Sequence, residues 1–452
     1  MTACSPGATA GSLEELRTRN GRDFVDPRTA AAPAPTAPPA PASPVRVNVP
    51  LLAVAGAVTV ANLYFPQPLL AAVARGLDVS ERTAGLIASA AQIGYALGIL
   101  LLVPLADIVR LRRLTSVLLA LTTAALLVAA AAPGVLTLAL ATLALSTTTV
   151  LPQILTPVAA VLAGPGRQGR VVGLVGLGLT LGSTLSRTVS GAVTDASGSW
   201  RTAYLVAAAA TAAVLCVLPR RLPERLGPPG RTSYAGLLAG LPGLLAAHRA
   251  LRVSALLGAC LFAAFSVFWA VLAFHLAAPP LGYGPGAAGL FGVLTLPAAL
   301  LSASAGPLTD RYGPSRVSAS GLGLVALGLA VAGLAPHSPV GLVVGANLLV
   351  VGVSSGQVAH QARIFAIGRA VAARVNTVFM LATFGGGAVG SLAGSWLYAS
   401  HGWSAALLGA GAFVAVGGIV VVRSARRPVP SCVPDATREA GVIRPRIPQG
   451  ES

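Results

Sequence analysis

The strongest constraint on this chain is a series of apolar runs, each about twenty residues long and bounded by short clusters of charge, proline or glycine. About 20 apolar residues are what a helix needs to cross roughly 30 Å of hydrocarbon. Twelve such segments can be cut, at 50–73, 84–105, 113–132, 135–162, 171–194, 201–218, 253–277, 287–308, 317–335, 339–365, 375–398 and 404–422. Lipid offers no partner to open backbone groups, so every segment is expected to be a helix. The predicted fold class is therefore an all-α integral membrane protein with the lipid bilayer as its solvent.

Charge orients the segments. Only 10% of the 452 residues are charged, and all 31 basic residues are arginine, giving a net charge of +18. Basic runs with interleaved aromatics are missing, so nucleic acid is not an expected partner. Arginine falls instead in the connections, and cytoplasmic loops retain positive charge. With the N-terminus inside, the cytoplasmic connections and span-flanking tails hold twenty arginines, against Arg75, Arg82 and Arg201 on the other side. Both termini are thus expected in the cytoplasm.

Ahead of the first span runs TAAAPAPTAPPAPASP, a tract that cannot bury a core. Residues 1–47 read as a disordered cytoplasmic tail, with a short helix at 12–19 suggested by the capping-box spacing of Ser12 and Glu15. The remaining divisions are a six-helix half at 48–218, a linker at 219–252, a second half at 253–422 and a tail at 423–452. Part of the linker, 234–252, is apolar enough to lie as a helix on the inner surface. Cys4, Cys216, Cys260 and Cys432 are scattered and suggest neither a disulfide framework nor a metal site. No nucleophile–base set or metal constellation is apparent, so neither catalysis nor a cofactor is expected.

Two charged islands interrupt the apolar pattern in a related way: GPLTDRYGPSR at 306–316 and VPLADIVRLRR at 103–113. Asp107 aligns with Asp310 at an offset of 203 residues, and the same offset aligns Trp200 with Trp403. Such a shared spacing indicates duplication of six spans, an architecture that places a substrate site between the repeats. GPLTDRYGPSR resembles the loop motif between the second and third spans of each half in the major facilitator superfamily, carried here by Gly306, Asp310, Arg311, Gly313 and Arg316. In the first copy Val103, Ile108 and Arg110 replace motif residues, leaving Asp107, Arg112 and Arg113. Further stretches are similar to a bacterial branch of drug or metabolite exporters: NLYFPQPLL, QIGYALG, SRTVSG, FSVFWAVLAF and ARVNTVFMLATFGGGAVGS.

The resemblance covers 48–422 and implies two six-helix bundles related by a pseudo-two-fold axis. It implies a monomeric carrier of a small-molecule substrate at a bacterial inner membrane, by alternating access. Efflux as an antiporter is the leading reading, with protons as a candidate coupling ion; import or facilitated movement is the alternative. It also implies that each loop aspartate docks on the other half: Asp107 near Arg374 and Asn376, and Asp310 near Arg170. Physically, an aspartate at a span's inner end meets the positive end of a neighbouring helix. The same loops also serve as tight turns and orientation signals.

Polar groups inside spans are costly and are functional candidates by default. Arg187 lies about 17 residues into the fifth segment, roughly 25 Å along a helix. There it would snorkel to the outer headgroups or face a cavity and bind an anion. Many drug antiporters of the superfamily carry a glycine–proline motif in this region, where Arg187 and Thr188 stand instead. No aspartate or glutamate lies mid-span, which leaves His360, and His275 near a span end, as groups able to titrate near neutral pH. His360 is a coupling candidate or a hydrogen-bonded structural residue.

Cavity candidates are Asn62, Tyr64, Gln67, Gln92, Tyr95, Gln153, Gln357 and Gln361. Phe265 and Trp269, with Phe262 and Phe268, repeat at helical spacing and suit either a cavity wall or packing. Pro66, Pro68, Pro152 and Pro157 are expected to kink the first and fourth spans. Gly386, Gly390 and Gly394 mark a close-packing helix face.

Overall fold

The computed structural model describes residues 48–163, 167–224, 234–368 and 371–425, with the Asp107 side chain outside the described set. The expectations for 1–47, including the helix at 12–19, and for the end of the C-terminal tail fall outside it too. Among the described residues the long elements are all helices: α1 Val49–Tyr64, α2 Leu70–Gly76, α3 Glu81–Leu101, α4 Leu111–Ala130, α5 Val135–Thr148, α6 Leu151–Ala163, α7 Gln168–Ser197, α8 Trp200–Arg221, α9 Tyr234–Ala247, α10 Arg249–Ala277, α11 Pro285–Leu294, α12 Leu296–Leu301, α13 Ala305–Tyr312, α14 Pro314–Leu334, α15 Pro339–Phe365 and α16 Ala372–Ala425.

Eleven continuous stretches among the described residues are long and apolar enough to cross a membrane, and the last runs 53 residues, Ala372–Ser424. Twelve were expected. The stretch at 375–398 and that at 404–422 lie within α16, on either side of Gly402, whose φ of 77° and ψ of −167° are not helical. In the first repeat Gly198, with φ 69°, ends α7 immediately before Trp200 opens α8. Left-handed glycine is the ordinary way to end a helix, because no Cβ resists that conformation. Gly402 lies one residue before Trp403, where Gly198 lies two before Trp200.

Helix starts follow side-chain caps. Asn48, Ser80 and Ser338 each accept a backbone N–H, from Leu51, Thr83 and Gly341. Proline sets the internal breaks. The first span is interrupted at 65–69, where Pro66 precedes a 3-10 turn that contains Pro68, and the fourth breaks between α5 and α6 just before Pro152. A further break, between α11 and α12 ahead of Pro297, was not expected. The linker helix at 234–252 forms as α9, but it ends at Ala247, and α10 begins at Arg249 rather than 253. The Tyr234 hydroxyl anchors α9 by donating to the Leu101 carbonyl at the end of α3, at 2.8 Å.

Small residues let the helices approach. A Cβ at Gly178 or Gly182 of α7 would collide with the Ala53 or Ala57 carbonyl of α1. The predicted seam on α16 packs in the same way: Gly386 and Gly390 meet the Ala259 and Ala263 carbonyls of α10. Without a hydrophobic drive in lipid, such close van der Waals contact holds helices together. The pairing of α7 with α1 thus recurs as that of the first arm of α16 with α10.

Two seams join the repeats: α3 lies along α16, and α7 along α11. The 203-residue offset carries α3 onto α11 and α7 onto the first arm of α16, so these seams are one interface seen twice. Helix α10 is buried along most of its length and runs through the centre.

Candidate functional site

A cavity of about 650 Å³ lies between the repeats. Helix α7 supplies Gly173, Gly176, Leu177, Thr180, Ser183, Thr184 and Arg187, spaced three and four apart, so one helix face forms a wall. Facing it are Tyr64 of α1, Phe262 and Phe265 of α10, Leu300 of α12, and Val350, Val353, Ser354 and Gln357 of α15. From Gly173 to Arg187 the wall runs roughly 21 Å at 1.5 Å per residue. A smaller space of about 130 Å³ adjoins Tyr64, Gln357 and Phe262 and reaches Tyr95, Gln153, Met380 and Phe384.

Arg187 closes the end of this wall that lies toward Asp195. It does not snorkel: the residue is 5% exposed. Its Nε donates to Oε1 of Gln67 at 2.7 Å and its Nη1 to the Ser183 carbonyl at 2.8 Å. The guanidinium carbon lies 4.7 Å from the centroid of the Tyr64 ring and 4.2 Å from that of Trp269. A desolvated cation over an aromatic face gains about 2 kcal/mol, while the effective penalty for burying an ion is several. The two rings and the two neutral acceptors therefore offset part of the cost and hold the group in place. They do not neutralise it. Among the described residues the one ion pair within 4.0 Å is Arg110–Glu224, which is exposed.

Beyond Arg187 the repeats are sealed against each other. The Thr188 hydroxyl donates to the Gly289 carbonyl at 2.8 Å and accepts from the Val293 N–H at 3.2 Å. These two α11 groups are four residues apart, the spacing of one helical ladder bond. A hydroxyl placed between them, together with Pro297 three residues past Leu294, accounts for the break between α11 and α12. Farther along, Oδ2 of Asp195 accepts from the Gly286 N–H at 2.8 Å, at the start of α11 where unpaired N–H groups favour a carboxylate. Gly191 and Gly289 cross without side chains between them. On the other seam a Cβ at Gly85 would collide with the Ser395 side chain.

The predicted cavity residues divide. Tyr64, Arg187, Phe265 and Gln357 line the large cavity, and Tyr95 and Gln153 line the smaller one, bonded to each other at 3.2 Å. Gln67 and Trp269 act behind the surface, as acceptor and stacking partner of Arg187. Three residues are corrected. Asn62 faces α8, donating to Thr211 at 3.1 Å inside the first bundle; Gln92 is buried off both cavities; and Gln361 reaches Asn376 at 3.4 Å. Helical spacing shows that such residues share a segment, while which face meets the cavity depends on the neighbouring helix.

His360 is fully buried and off the cavity, with Nε2 3.4 Å from the Ser318 hydroxyl and its ring against Phe379. His275 stacks on Trp403 with centroids 4.1 Å apart and has Nε2 2.7 Å from the Pro336 carbonyl.

The charged islands lie at the opposite end from Asp195. Gly306, Asp310 and Arg311 fall in α13, Gly313 turns the chain with φ 84°, and Arg316 starts α14. Asp310 and Arg170 are both exposed, and Asp310 forms no ion pair among the described residues, so the expected docking of one on the other is not made at this open end. Arg112 donates to the Leu222 carbonyl at 3.0 Å, tying the first island to the end of α8, and Arg113 is exposed.

The residues not anticipated are Thr180, Ser183 and Thr184 on the α7 wall, and Thr188 and Asp195 on its seal. Their signal was present as small polar residues in step with Arg187 at three- and four-residue spacing.

The sequence pattern of the Major Facilitator Superfamily matches residues 52–293 and 254–448. Over 371 residues the chain is 35% identical to the uncharacterized transporter YgaY of Escherichia coli O157:H7, covering 82% of this chain and 93% of that protein. It is also 35% identical over 378 residues to the probable transporter SCO4007 of Streptomyces coelicolor, covering 82% and 86% respectively. A crystal structure of a bacterial homologue of the human lysosomal transporter Spinster, inward-facing and unoccupied, is similar in fold. Its TM-score is 0.69, with 14% identity over 85% of this chain and 98% of that one.

Proposed function

This chain belongs to the Major Facilitator Superfamily, and from that premise we propose that it exports a small organic solute across a bacterial inner membrane by rocking two six-helix halves about the cavity. The carrying observation is the cavity itself: walled by both repeats, sealed at the Asp195 end and unsealed at the end of the charged islands. Reading α16 as two spans about Gly402, by analogy with Gly198, gives twelve spans with both termini on one side. The arginine bias assigns that side to the cytoplasm, so the conformation is inward-facing.

In this reading the islands around Asp107 and Asp310 close the cytoplasmic end in the alternate state, while Thr188 and Asp195 release. Proton antiport is one way to energise export. The cavity lining holds no carboxylate among the described residues, and His360 is enclosed away from it, so a proton relay through either gains no support. Import or facilitated movement on the same fold is the rival reading. Uptake into inverted vesicles separates them: an exporter accumulates solute only when the membrane is energised, and an importer does so only in right-side-out vesicles.

A further inference from the structure

We propose that the solute is an amphipathic organic monoanion, its carboxylate bound by Arg187 and its apolar body lying along Phe262, Phe265 and Leu177, with the membrane potential drawing it outward. The inference rests on the transport reading and names the substrate class for that same cavity.

Charge and donor counts carry it. Guanidinium has five N–H donors. Two of them are used, on Gln67 and Ser183, and the group lines the cavity with no anionic partner among the described residues. Trp269, stacked on the same guanidinium, has a buried Nε1–H with no hydrogen-bond partner. The guanidinium, which lines the cavity, keeps N–H donors to spare and meets no negative charge among the described residues, and a carboxylate there supplies that charge. Among the described residues no second cationic side chain lines the cavity, which matches a monoanion and leaves a phosphate dianion half compensated. A cationic solute would meet like charge.

The rest of the wall is apolar or weakly polar, and 650 Å³ lies within the range of sites for drug-sized ligands. A negative cytoplasm pushes an anion outward, so each export cycle moves charge down the field and needs no buried carboxylate for proton exchange.

The test uses the purified full chain with 2-naphthoate, its neutral isostere 2-naphthamide and the cationic 2-naphthylmethylamine. The expected result is that naphthoate alone raises the melting temperature, that Arg187→Lys weakens the response and that Arg187→Gln abolishes it. The three-probe comparison on the unsubstituted protein stands even where a variant fails to fold. In proteoliposomes, naphthoate efflux should rise at least tenfold under a valinomycin–potassium potential negative inside, with no pH gradient. Flux of the amide or amine at the naphthoate rate, or flux indifferent to potential, overturns the anion assignment and leaves transport standing. Naphthoate binding without flux of any probe contradicts transport and leaves the anion site; neither binding nor flux contradicts both.

Discussion

Thr188 of the first repeat donates its hydroxyl hydrogen to the Gly289 carbonyl of the second at 2.8 Å, inside a seam where glycines let α7 and α11 touch. The same hydroxyl accepts from Val293, so one side chain joins the two bundles and sits where α11 breaks toward the cavity. Closure at this end is therefore built from a few discrete polar contacts over a smooth surface. Such a seal can open as a unit.

Thr188→Val keeps the shape and removes both bonds, and Asp195→Asn weakens the cap on α11. A neutral hydrogen bond contributes roughly 1 kcal/mol net, so Asp195→Asn should shift the ratio of inward- to outward-facing molecules about fivefold toward outward, and Thr188→Val, which loses two bonds, about thirtyfold. Distances between spin labels on the outer ends of α7 and α11 report this ratio. An unchanged distribution in both variants would remove the seal from the account.

Gly289→Val tests closure from the other side. A Cβ at this position would lie 2.5 Å from the Arg187 carbonyl oxygen, and backbone there has no room to yield. Transport should fall more than tenfold while the protein still inserts and folds, because only the sealed state is lost. Normal turnover in this variant would mean that the seam does not close during the cycle.

The islands are tested by Asp310→Asn. With the cytoplasmic contact of the alternate state weakened, inward-facing molecules should increase and turnover should drop severalfold, with solute affinity measured from inside unchanged. Equal turnover would reduce GPLTDRYGPSR to a turn and an orientation signal.

His360 should be dispensable for coupling. It is packed between α14, α15 and α16 and touches neither cavity. His360→Gln is expected to lower thermal stability while leaving the pH profile of transport as it was, measured on initial rates in proteoliposomes. Loss of the pH dependence would return it to the mechanism.

The fold was legible because the bilayer dictates helix length and the arginines mark one side; the 203-residue echo of Asp107 in Asp310 and of Trp200 in Trp403 then exposed the repeat. Pro66, Pro68 and Pro152 foretold the breaks in the first and fourth spans, whereas Pro157 lies inside the continuous helix α6. The break at 294–296 was missed, since it depends on the Thr188 hydroxyl arriving from a distant helix as well as on Pro297. Arg187 was legible as an anomaly, but its direction was not, because Gln67, Tyr64 and Trp269 come from two other helices. Asn62 and Gln92 misled for the same reason: a polar residue within a span signals a partner, and for Asn62 that partner was Thr211.

The central claim, that this cavity is the solute path and opens to each side in turn, is tested by one accessibility measurement. Ser183 lines the cavity midway along α7. In a chain with Cys4, Cys216, Cys260 and Cys432 replaced, Ser183→Cys should react with a membrane-impermeant thiol reagent rapidly from the cytoplasmic face in inverted vesicles. From the outer face in intact cells it should react slowly, and faster when Asp195→Asn is added. Reaction from the cytoplasmic face alone, unaffected by Asp195→Asn, would contradict alternating access through this cavity.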